Sequence, residues 1–211
     1  VKRPGYTIVP TTGATINVGT AQGMYSWNGR LMIIVNNHLY AISSYGVVSD
    51  LGTVGTTSGA TSPVDGMPVN KAALNDSGTA STQISNFWFS QTLNGSYLFF
   101  HSTSAAYYMI AGSDTVYPIS TNANPMVPGS AYLDGYICVL ASNSRMYNCD
   151  ADNPSSWNAL NFVTAQAQPD GGMGIVRHMN YVVCFGEWTT EFMYDAANAT
   201  GSPFAPNQAA M

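Results

Sequence analysis

Short runs of apolar residues alternate along the chain with turn residues, and no window keeps apolar residues at helical spacing. Glycine and proline interrupt the chain too often for helices of ordinary length. Several apolar runs are joined by Asn-Gly or Asp-Gly, which is the strongest short-range signal for a β-hairpin. The pattern therefore predicts an all-β protein built from antiparallel strands.

The predicted hairpins recur as four similar units, which span about residues 20–55, 82–120, 130–162 and 170–206. Their equivalent turns lie at Gly29, Gly95, Gly135 and Asn180. The last two intervals between these turns match the roughly 40–45-residue period of propeller blades. The first interval is longer because residues 53–82 are rich in Gly, Ser, Thr and Asn, which predicts a long loop.

The second strand of each unit is apolar throughout, as expected for a strand that neighbouring blades cover on both faces. These strands are residues 31–35, 97–100, 136–140 and 181–185. We therefore predict a β-propeller-like fold of about four antiparallel blade units in a single domain, residues 1–211. Hairpins at regular spacing also occur in β-sandwiches and jelly rolls, which are the alternatives.

The number of units predicts an incomplete propeller. Four units are few for a closed ring, and the last unit shows no closing strand. We expect the remaining blades to lie beyond Met211 in a longer chain, or to come from elsewhere.

Charged residues are scarce, since Asp, Glu, Lys and Arg make up only 8% of the chain. Typical soluble proteins have about 25%. Such a surface has little electrostatic protection against association, which suits a protein inside an assembly or an exported one. The few cations are scattered, at Lys2, Arg3, Arg30, Lys71, Arg145 and Arg177. Because a protein that grips DNA needs several cations on one face, we expect DNA to pass this chain without being bound.

No group of residues predicts a catalytic, metal-binding or cofactor-binding site. The three cysteines lack CxxC spacing, and their odd number and their surroundings favour buried thiols over a disulfide framework. His38, His101 and His178 have no further ligand-type residues at metal-binding spacing. No apolar run is long enough for a transmembrane helix, so we expect no membrane partner.

Some features favour a carbohydrate-binding or glycan-hydrolysing module, which is the alternative function. Glu187 and Glu191 are spaced as a carboxylate pair, although a solvent-exposed edge is the simpler interpretation. Residues 150–157 weakly resemble the Asp-box turn of sialidase propellers, but no arginine triad can be assigned. Asp and Asn side chains that stabilise a turn explain that segment better. Trp27, Trp157 and Trp188 are candidates for stacking on sugars.

Two segments follow a more specific pattern. The first is Pro4-Gly5, next to basic residues and ahead of the first unit. The second extends over residues 157–206, and its matching residues are Phe162, Ala165, Pro169, Asp170, Gly174, Phe185, Gly186, Glu191 and Phe204. In this combination the chain resembles the tail hub or nozzle proteins of short-tailed bacteriophages, a family named for stabilising packaged DNA.

The resemblance implies a structural virion protein and not an enzyme. It implies β-propeller subunits whose copies form a ring in the phage tail, next to the portal, the adaptor and other tail proteins. The ring would form the channel for double-stranded DNA and retain the packaged DNA until ejection. Such a protein would be assembled in the cytoplasm of the host bacterium and reside in the virion, with no cofactors. The net charge of −5 agrees with a channel wall that repels phosphates.

Overall fold

The computed structural model describes residues 12–16, 21–54, 86–121, 123, 125–165 and 170–207. Within these residues the chain forms seventeen β-strands and no helix. The described part of the chain therefore contains no helix that could cross a membrane. The strands form four sheets, which we number blades 1 to 4 in chain order. The predicted loop at residues 53–82 falls almost entirely outside the described residues.

Each blade is built from consecutive strands. Blade 1 contains β1 (Thr12–Gly13), β2 (Ala21–Trp27), β3 (Arg30–Val35), β4 (His38–Ser43) and β5 (Val47–Thr53). Blade 2 contains β6 (Trp88–Gln91), β7 (Tyr97–His101), β8 (Ala106–Ile110) and β9 (Tyr117–Ile119). Blade 3 contains β10 (Ala131–Leu133), β11 (Tyr136–Leu140), β12 (Arg145–Asp150) and β13 (Asn153–Thr164). Blade 4 contains β14 (Gly172–His178), β15 (Tyr181–Gly186), β16 (Thr190–Asp195) and β17 (Phe204–Pro206).

Neighbouring strands within a blade pair antiparallel, with one exception. The short β1 joins the edge of blade 1 and pairs in parallel with β5. The predicted all-β architecture of four antiparallel blade units is therefore confirmed.

Turn chemistry explains where several strands end. Asn28 and Gly29 both have positive φ, at 49° and 72°, as do Asp134 and Gly135, at 49° and 94°. Two consecutive residues with positive φ are what a two-residue hairpin turn of type I′ requires, and Asn-Gly and Asp-Gly adopt it with least strain. These dipeptides therefore fix the hairpins β2–β3 and β10–β11.

The last strands of blades 3 and 4 differ from the sequence prediction. Segment 150–157 was predicted as a turn, but only its start turns, and β13 begins at Asn153, which pairs with Asp150. Register shifts in this pairing disrupt the two-residue period that would otherwise reveal a strand. Phe204 begins β17, which pairs with β16 and adds a fourth strand at the edge of blade 4. This strand is only three residues long and ends in Pro206, which is tolerated at a sheet edge.

Apolar cores fill the spaces between consecutive blades. We call the side of a blade that faces the next blade along the chain its downstream face, and the opposite side its upstream face. The facing pairs of strands are β3 with β7, β7 with β11, and β11 with β15. Their core residues are Met32 and Ile34 against Leu98 and Phe100, Phe99 against Ile137 and Val139, and Cys138 and Leu140 against Val182 and Cys184.

The blades fan out from their first strands, because β2, β6, β10 and β14 lie next to one another in that order. Across these strands Phe87 N donates to Gln22 O at 2.8 Å, and Ile175 N donates to Pro128 O at 3.1 Å. No core cluster of the described residues joins blade 1 to blade 4. The four blades therefore form an open arc.

Candidate functional site

Asp170 lies directly before β14, and its carboxylate holds the turn between β15 and β16. The amides of Trp188 and Thr189 donate to Oδ2 at 2.9 and 3.0 Å, and the Thr189 hydroxyl donates to the same oxygen at 3.0 Å. The pKa of Asp170 is lowered, chiefly by the Trp188 amide and further by Thr189, against the opposing effect of desolvation. This carboxylate therefore stabilises a turn and is not poised as a catalytic acid.

The Asp170 turn also connects blade 4 to blade 3. The Ser144 hydroxyl, in the β11–β12 turn, donates to the backbone carbonyl of Asp170. The neighbouring Gly172 N donates to Ser142 O at 3.0 Å. Gly186 lies against the carboxylate of Asp170. Any other residue would place a Cβ atom where the carboxylate lies, so only glycine leaves room for it. These contacts bring two of the family-pattern residues, Asp170 and Gly186, into one structural unit.

Phe162 and Ala165 contact β12 and the turn before it, and so stabilise the pairing of β13 with β12. The Arg145 guanidinium lies 4.5 Å above the Phe162 ring, which also packs on Tyr147 with ring centroids 5.4 Å apart. Ala165 N donates to Ser144 O at 2.8 Å. These two family-pattern residues therefore support the Ser144 turn that holds Asp170.

Three further family-pattern residues lie within the strands of blade 4. Gly174 of β14 pairs with Phe185 of β15, whose side chain is on the downstream face. Phe204 is buried in the core between blades 3 and 4 and meets Tyr136 edge-on, with ring centroids 5.7 Å apart. Pro4, Gly5 and Pro169 lie outside the described residues.

Glu191 is buried, with 1% of its surface exposed, and pairs with Cys184 on the upstream face of blade 4. Glu187 is exposed at the start of the β15–β16 turn. The interpretation of these two residues as a solvent-exposed edge is therefore wrong for Glu191. Successive side chains of β16 point to opposite faces of blade 4. The register places Glu191 on the face that packs against blade 3. The two carboxylates do not flank a common groove.

Only one of the three candidate sugar-stacking tryptophans is exposed. Trp27 is buried and donates from Nε1 to Gly95 O at 2.9 Å, which links blades 1 and 2. Trp157 packs on Phe99 and donates to Pro154 O at 2.8 Å. Trp188, in the turn that Asp170 holds, is 87% exposed.

The described residues contain no group of three His, Cys, Asp or Glu side chains arranged to hold a metal ion. All three cysteines are free and buried, which confirms the prediction of buried thiols. Desolvation raises the pKa of both Cys149 and Cys184 to about 12. His101 is fully buried between two backbone carbonyls, those of Ser102 and Gly129.

Three strongly exposed apolar residues lie at turns on one side of the arc. We call this side the hairpin face, because it carries the turns β2–β3, β4–β5, β6–β7, β8–β9, β10–β11, β12–β13, β14–β15 and β16–β17. Tyr45, Leu93 and Met179 lie in three of these turns and are 91%, 83% and 74% exposed. The sequence carries a signal for these three residues, which were not among the candidates above: each stands beside Gly or Asn in a turn.

The hairpin face is also acidic. Its described charged residues at the turns and strand ends are Asp114, Asp134, Asp150, Asp152, Asp195, Arg30 and Arg177. Arg30 is paired with Asp114, with Nη1 and Oδ1 2.5 Å apart. The remaining aspartates therefore outnumber the one remaining arginine.

The sequence profile of a family described as Bacteriophage P22 Gp10, beta-propeller, matches residues 3–211. The chain belongs to this family. The resemblance to phage proteins that stabilise packaged DNA is thereby confirmed, and so is the β-propeller fold class. Membership makes the chain a structural protein of the phage particle and lends no support to an enzymatic activity. No curated protein sequence matches the chain.

Solved structures resemble the chain at low sequence identity. The computationally designed Ika4 protein has a TM-score of 0.55 at 8% identity, over 90% of this chain and 98% of that one. Virginiamycin B lyase from Staphylococcus aureus has a TM-score of 0.55 at 8% identity, over 89% and 55%. YCF48 from Cyanidioschyzon merolae has a TM-score of 0.52 at 12% identity, over 91% and 60%. At these identities the likeness shows the fold alone, and the chain spans just over half of each of the two natural proteins.

Proposed function

We propose that the chain is a subunit of the ring-shaped tail hub or nozzle of a short-tailed phage. Copies of the chain surround the channel through which double-stranded DNA leaves the particle. The ring lies next to the portal and adaptor proteins and retains the packaged DNA until ejection. The observation that carries this proposal is the hairpin face, which is apolar at its turn tips and poor in cations.

The exposed turn tips support assembly with other subunits. Tyr45, Leu93 and Met179 place large apolar side chains in solvent on one side of the arc. Burying such side chains against another subunit is favourable, because it removes apolar surface from water. Permanent assemblies use larger and more apolar interfaces than transient complexes do. The hairpin face is therefore the surface that we assign to ring contacts.

The distribution of charge supports passage of DNA over binding. The arginines of the described residues lie on three different blades: Arg30, Arg145 and Arg177. One is paired with Asp114 and another covers the Phe162 ring. Binding to DNA phosphates requires several cations on one surface, and an acidic wall repels phosphates. A DNA duplex in such a channel slides, because few cations contact its phosphates.

The first experiment measures the native mass of the chain, alone and mixed with the portal, adaptor and tail proteins of its phage. We expect a ring of copies that forms alone or on the adaptor. The double variant Leu93→Glu/Met179→Glu should abolish the ring, because it places charges in the apolar contact. Trp188→Ser, on the opposite side of the arc, is the matched control and should leave the ring intact. A chain that never associates with these neighbours contradicts the proposal.

A second experiment addresses DNA. Particles assembled with the Leu93→Glu/Met179→Glu variant should lose packaged DNA, which nuclease sensitivity of the particle contents measures. The purified ring should not retard short duplexes at moderate salt. Tight binding whose affinity falls steeply as salt rises would show a phosphate-gripping surface and would contradict passage without binding.

A carbohydrate-binding module is the second candidate, and the exposed Trp188 is the observation that favours it. An exposed aromatic ring, in a turn whose backbone amide is held by Asp170, is suited to stacking on a sugar. Retention of the wild-type chain on a glycan array, lost in Trp188→Ser, would favour this candidate. The buried Glu191 gives no support to hydrolysis of the glycan.

A further inference from the structure

We propose that Asn94 is a site of spontaneous deamidation, at which the chain modifies itself with water as the only co-reactant. The product is a mixture of aspartate and isoaspartate at this position. Asn94 lies in the β6–β7 turn of blade 2 and is followed by Gly95. The inference does not depend on the proposed function, because it uses the chemistry of one turn and no contact between copies.

The reaction starts with the closure of a succinimide ring. The backbone nitrogen of Gly95 attacks Cγ of Asn94, and the side-chain amine leaves as ammonia with the proton that the Gly95 N–H gives up. Water then adds to one of the two carbonyl carbons of the ring and breaks the bond from that carbon to the nitrogen. Opening at Cγ gives aspartate, and opening at the backbone carbon gives isoaspartate. The net change is the uptake of water and the loss of ammonia.

Two hydrogen bonds prepare the Asn94 side chain for this attack. Its Oδ1 accepts from the Thr92 hydroxyl at 3.1 Å and from Ser96 N at 3.0 Å. Attack at Cγ turns Oδ1 into an oxyanion, and donors that already point at this oxygen stabilise it. The bond to Ser96 N also folds the side chain back along its own backbone, as in an Asx turn, so that Cγ lies towards the Gly95 peptide.

The surroundings of Asn94 leave room for the reaction. The residue is exposed, so water reaches it and ammonia can leave. Gly95 has no Cβ, so no side chain shields the attacking nitrogen. One contact opposes the reaction, because Gly95 N donates to Thr92 O at 2.8 Å. This bond must break before the nitrogen attacks, and local opening of an exposed turn costs far less than unfolding the domain.

The Asn28-Gly29 turn is a comparison within the same chain. It has the same dipeptide, but Asn28 donates from Nδ2 to Gly95 O at 3.0 Å, so the group that would leave is held. Asn28 and Gly29 also have φ values of 49° and 72° in a tight type I′ turn, which resists the backbone rotation that ring closure requires. The two dipeptides are equal in sequence, and the structure predicts that they differ in rate.

The modification affects the contact between blades 1 and 2. Gly95 O accepts from Trp27 Nε1 at 2.9 Å and from Asn28 Nδ2 at 3.0 Å. Isoaspartate lengthens the backbone directly before Gly95, because the chain then runs through the side-chain carbon atoms of residue 94. This shift moves the Gly95 carbonyl away from its two donors. We therefore expect chains that carry isoaspartate to melt at a lower temperature than unmodified chains.

The test incubates the purified chain in mildly alkaline buffer and follows both Asn-Gly dipeptides over time by peptide mass spectrometry. Aspartate and isoaspartate are distinguished by their fragmentation. In the native chain Asn94 should convert at least roughly 10-fold faster than Asn28, as expected from donors that stabilise the oxyanion. In urea both residues lose their contacts and should convert at similar rates. This control separates the effect of the structure from that of the dipeptide.

Variants identify the groups that act. Thr92→Val removes a donor to Oδ1 and should slow the conversion of Asn94, whereas Thr92→Ser keeps the hydroxyl and should keep the rate. The Thr92 hydroxyl also accepts from Tyr97 N, so Thr92→Val can loosen the turn. Asn94→Gln is therefore the second variant. Its longer side chain disfavours the ring, so it should keep its melting temperature on incubation while the wild-type chain loses stability.

Other outcomes overturn the inference. It fails if Asn28 converts as fast as Asn94 in the native chain, or if neither residue converts there while both convert in urea. Equal rates in folded Thr92→Val and Thr92→Ser chains show that the hydroxyl plays no part in the reaction. A wild-type chain that accumulates isoaspartate at residue 94 without a fall in melting temperature contradicts the effect on the contact between blades 1 and 2.

Discussion

Gly186 leaves the space that the carboxylate of Asp170 occupies. A Cβ atom added to Gly186 would overlap both carboxylate oxygens and the Cγ of Asp170. From this position Asp170 accepts from the amides of Trp188 and Thr189. The Ser144 hydroxyl of blade 3 donates to the Asp170 carbonyl. A glycine at the end of β15 and a carboxylate from the segment before β14 thus form one unit that shapes the β15–β16 turn and joins two blades.

Gly186→Ala should destabilise the fold, because the contact with Asp170 leaves no room for a methyl group. The added methyl group must displace a carboxylate that is held by several hydrogen bonds. Urea denaturation measures the free energy of unfolding. Gly174→Ala is the matched control in the neighbouring strand, because its Cβ would lie 3.6 Å from Pro128 O, an ordinary contact. Equal effects of the two substitutions would contradict the role of Asp170.

Asp170→Asn should change how stability depends on pH. Because the folded chain lowers the pKa of Asp170, ionised Asp170 stabilises the fold above the unfolded pKa of about 3.9. That contribution is lost as the pH falls through the lower folded pKa. The difference in unfolding free energy between wild type and Asp170→Asn should therefore shrink as the pH falls below about 4. A difference that stays constant between neutral and strongly acidic pH would contradict this.

The sequence predicts those strands that are joined by turns with a recognisable residue pattern. Asn28-Gly29 and Asp134-Gly135 require positive φ, so the hairpins around them are readable without a structure. The short β17 has no such signal, because it is three residues long and ends in proline. Hydrophobic alternation shows that neighbouring residues face opposite sides, but not which side meets another blade.

The same limit applies to the candidate site. Alternation did not reveal that Glu191 lies on the buried face, and it left Phe185 indistinguishable from a core residue. The contact between Asp170 and Gly186 joins a residue before β14 to the end of β15, and no periodic pattern connects them. The resemblance to the phage family identified both residues but not their relationship. Only the packing of blade 4 on blade 3 brings them together.

Gly129→Ala should be more damaging than an ordinary glycine substitution. Gly129 has a φ of 98°, and an added Cβ would overlap the backbone carbonyl of Ile175 in β14. Strain and overpacking together should cost about 2–5 kcal/mol. Gly112→Ala is the matched control: its φ is 80°, but nothing lies within 4 Å of its Cβ, so only strain of about 1–2 kcal/mol applies. Thermal and urea unfolding of both variants measure the difference, and equal losses would contradict a close contact between Gly129 and blade 4.

The three thiols should be unreactive in the folded chain. Desolvation raises the pKa of Cys149 and Cys184 to about 12 and raises that of Cys138 as well, and the thiolate is the reactive form. Ellman's reagent at pH 8 should detect no fast-reacting thiol in the native protein and all 3 in denaturant. The variant Thr115→Cys, at an exposed position, should add one fast-reacting thiol. Rapid reaction of the native wild-type chain would show that an interface of blade 3, with blade 2 around Cys149 or with blade 4 around Cys138 and Cys184, opens readily.

His101 should make the fold less stable in mild acid. Its ring lies between two carbonyl oxygens, with Nδ1 2.9 Å from Ser102 O and Nε2 2.7 Å from Gly129 O. A neutral imidazole has one N–H, so it can donate to only one of them, whereas the imidazolium form can donate to both. Complete burial opposes the charged form. Desolvation is the larger effect, and it lowers the pKa of His101 although both carbonyls act to raise it.

The sign of the pH effect follows from that balance. With the folded pKa below the unfolded value of about 6.5, the unfolded chain binds the proton more readily. The free energy of unfolding should therefore fall as the pH drops from about 6.5 towards the folded pKa, and level off below it. Urea unfolding at several pH values measures this slope, which His101→Gln should remove and His178→Gln, at an exposed position, should keep. If stability instead rises on acidification, the two carbonyls outweigh burial, and His101 clamps blade 2 to the Gly129 loop as a cation.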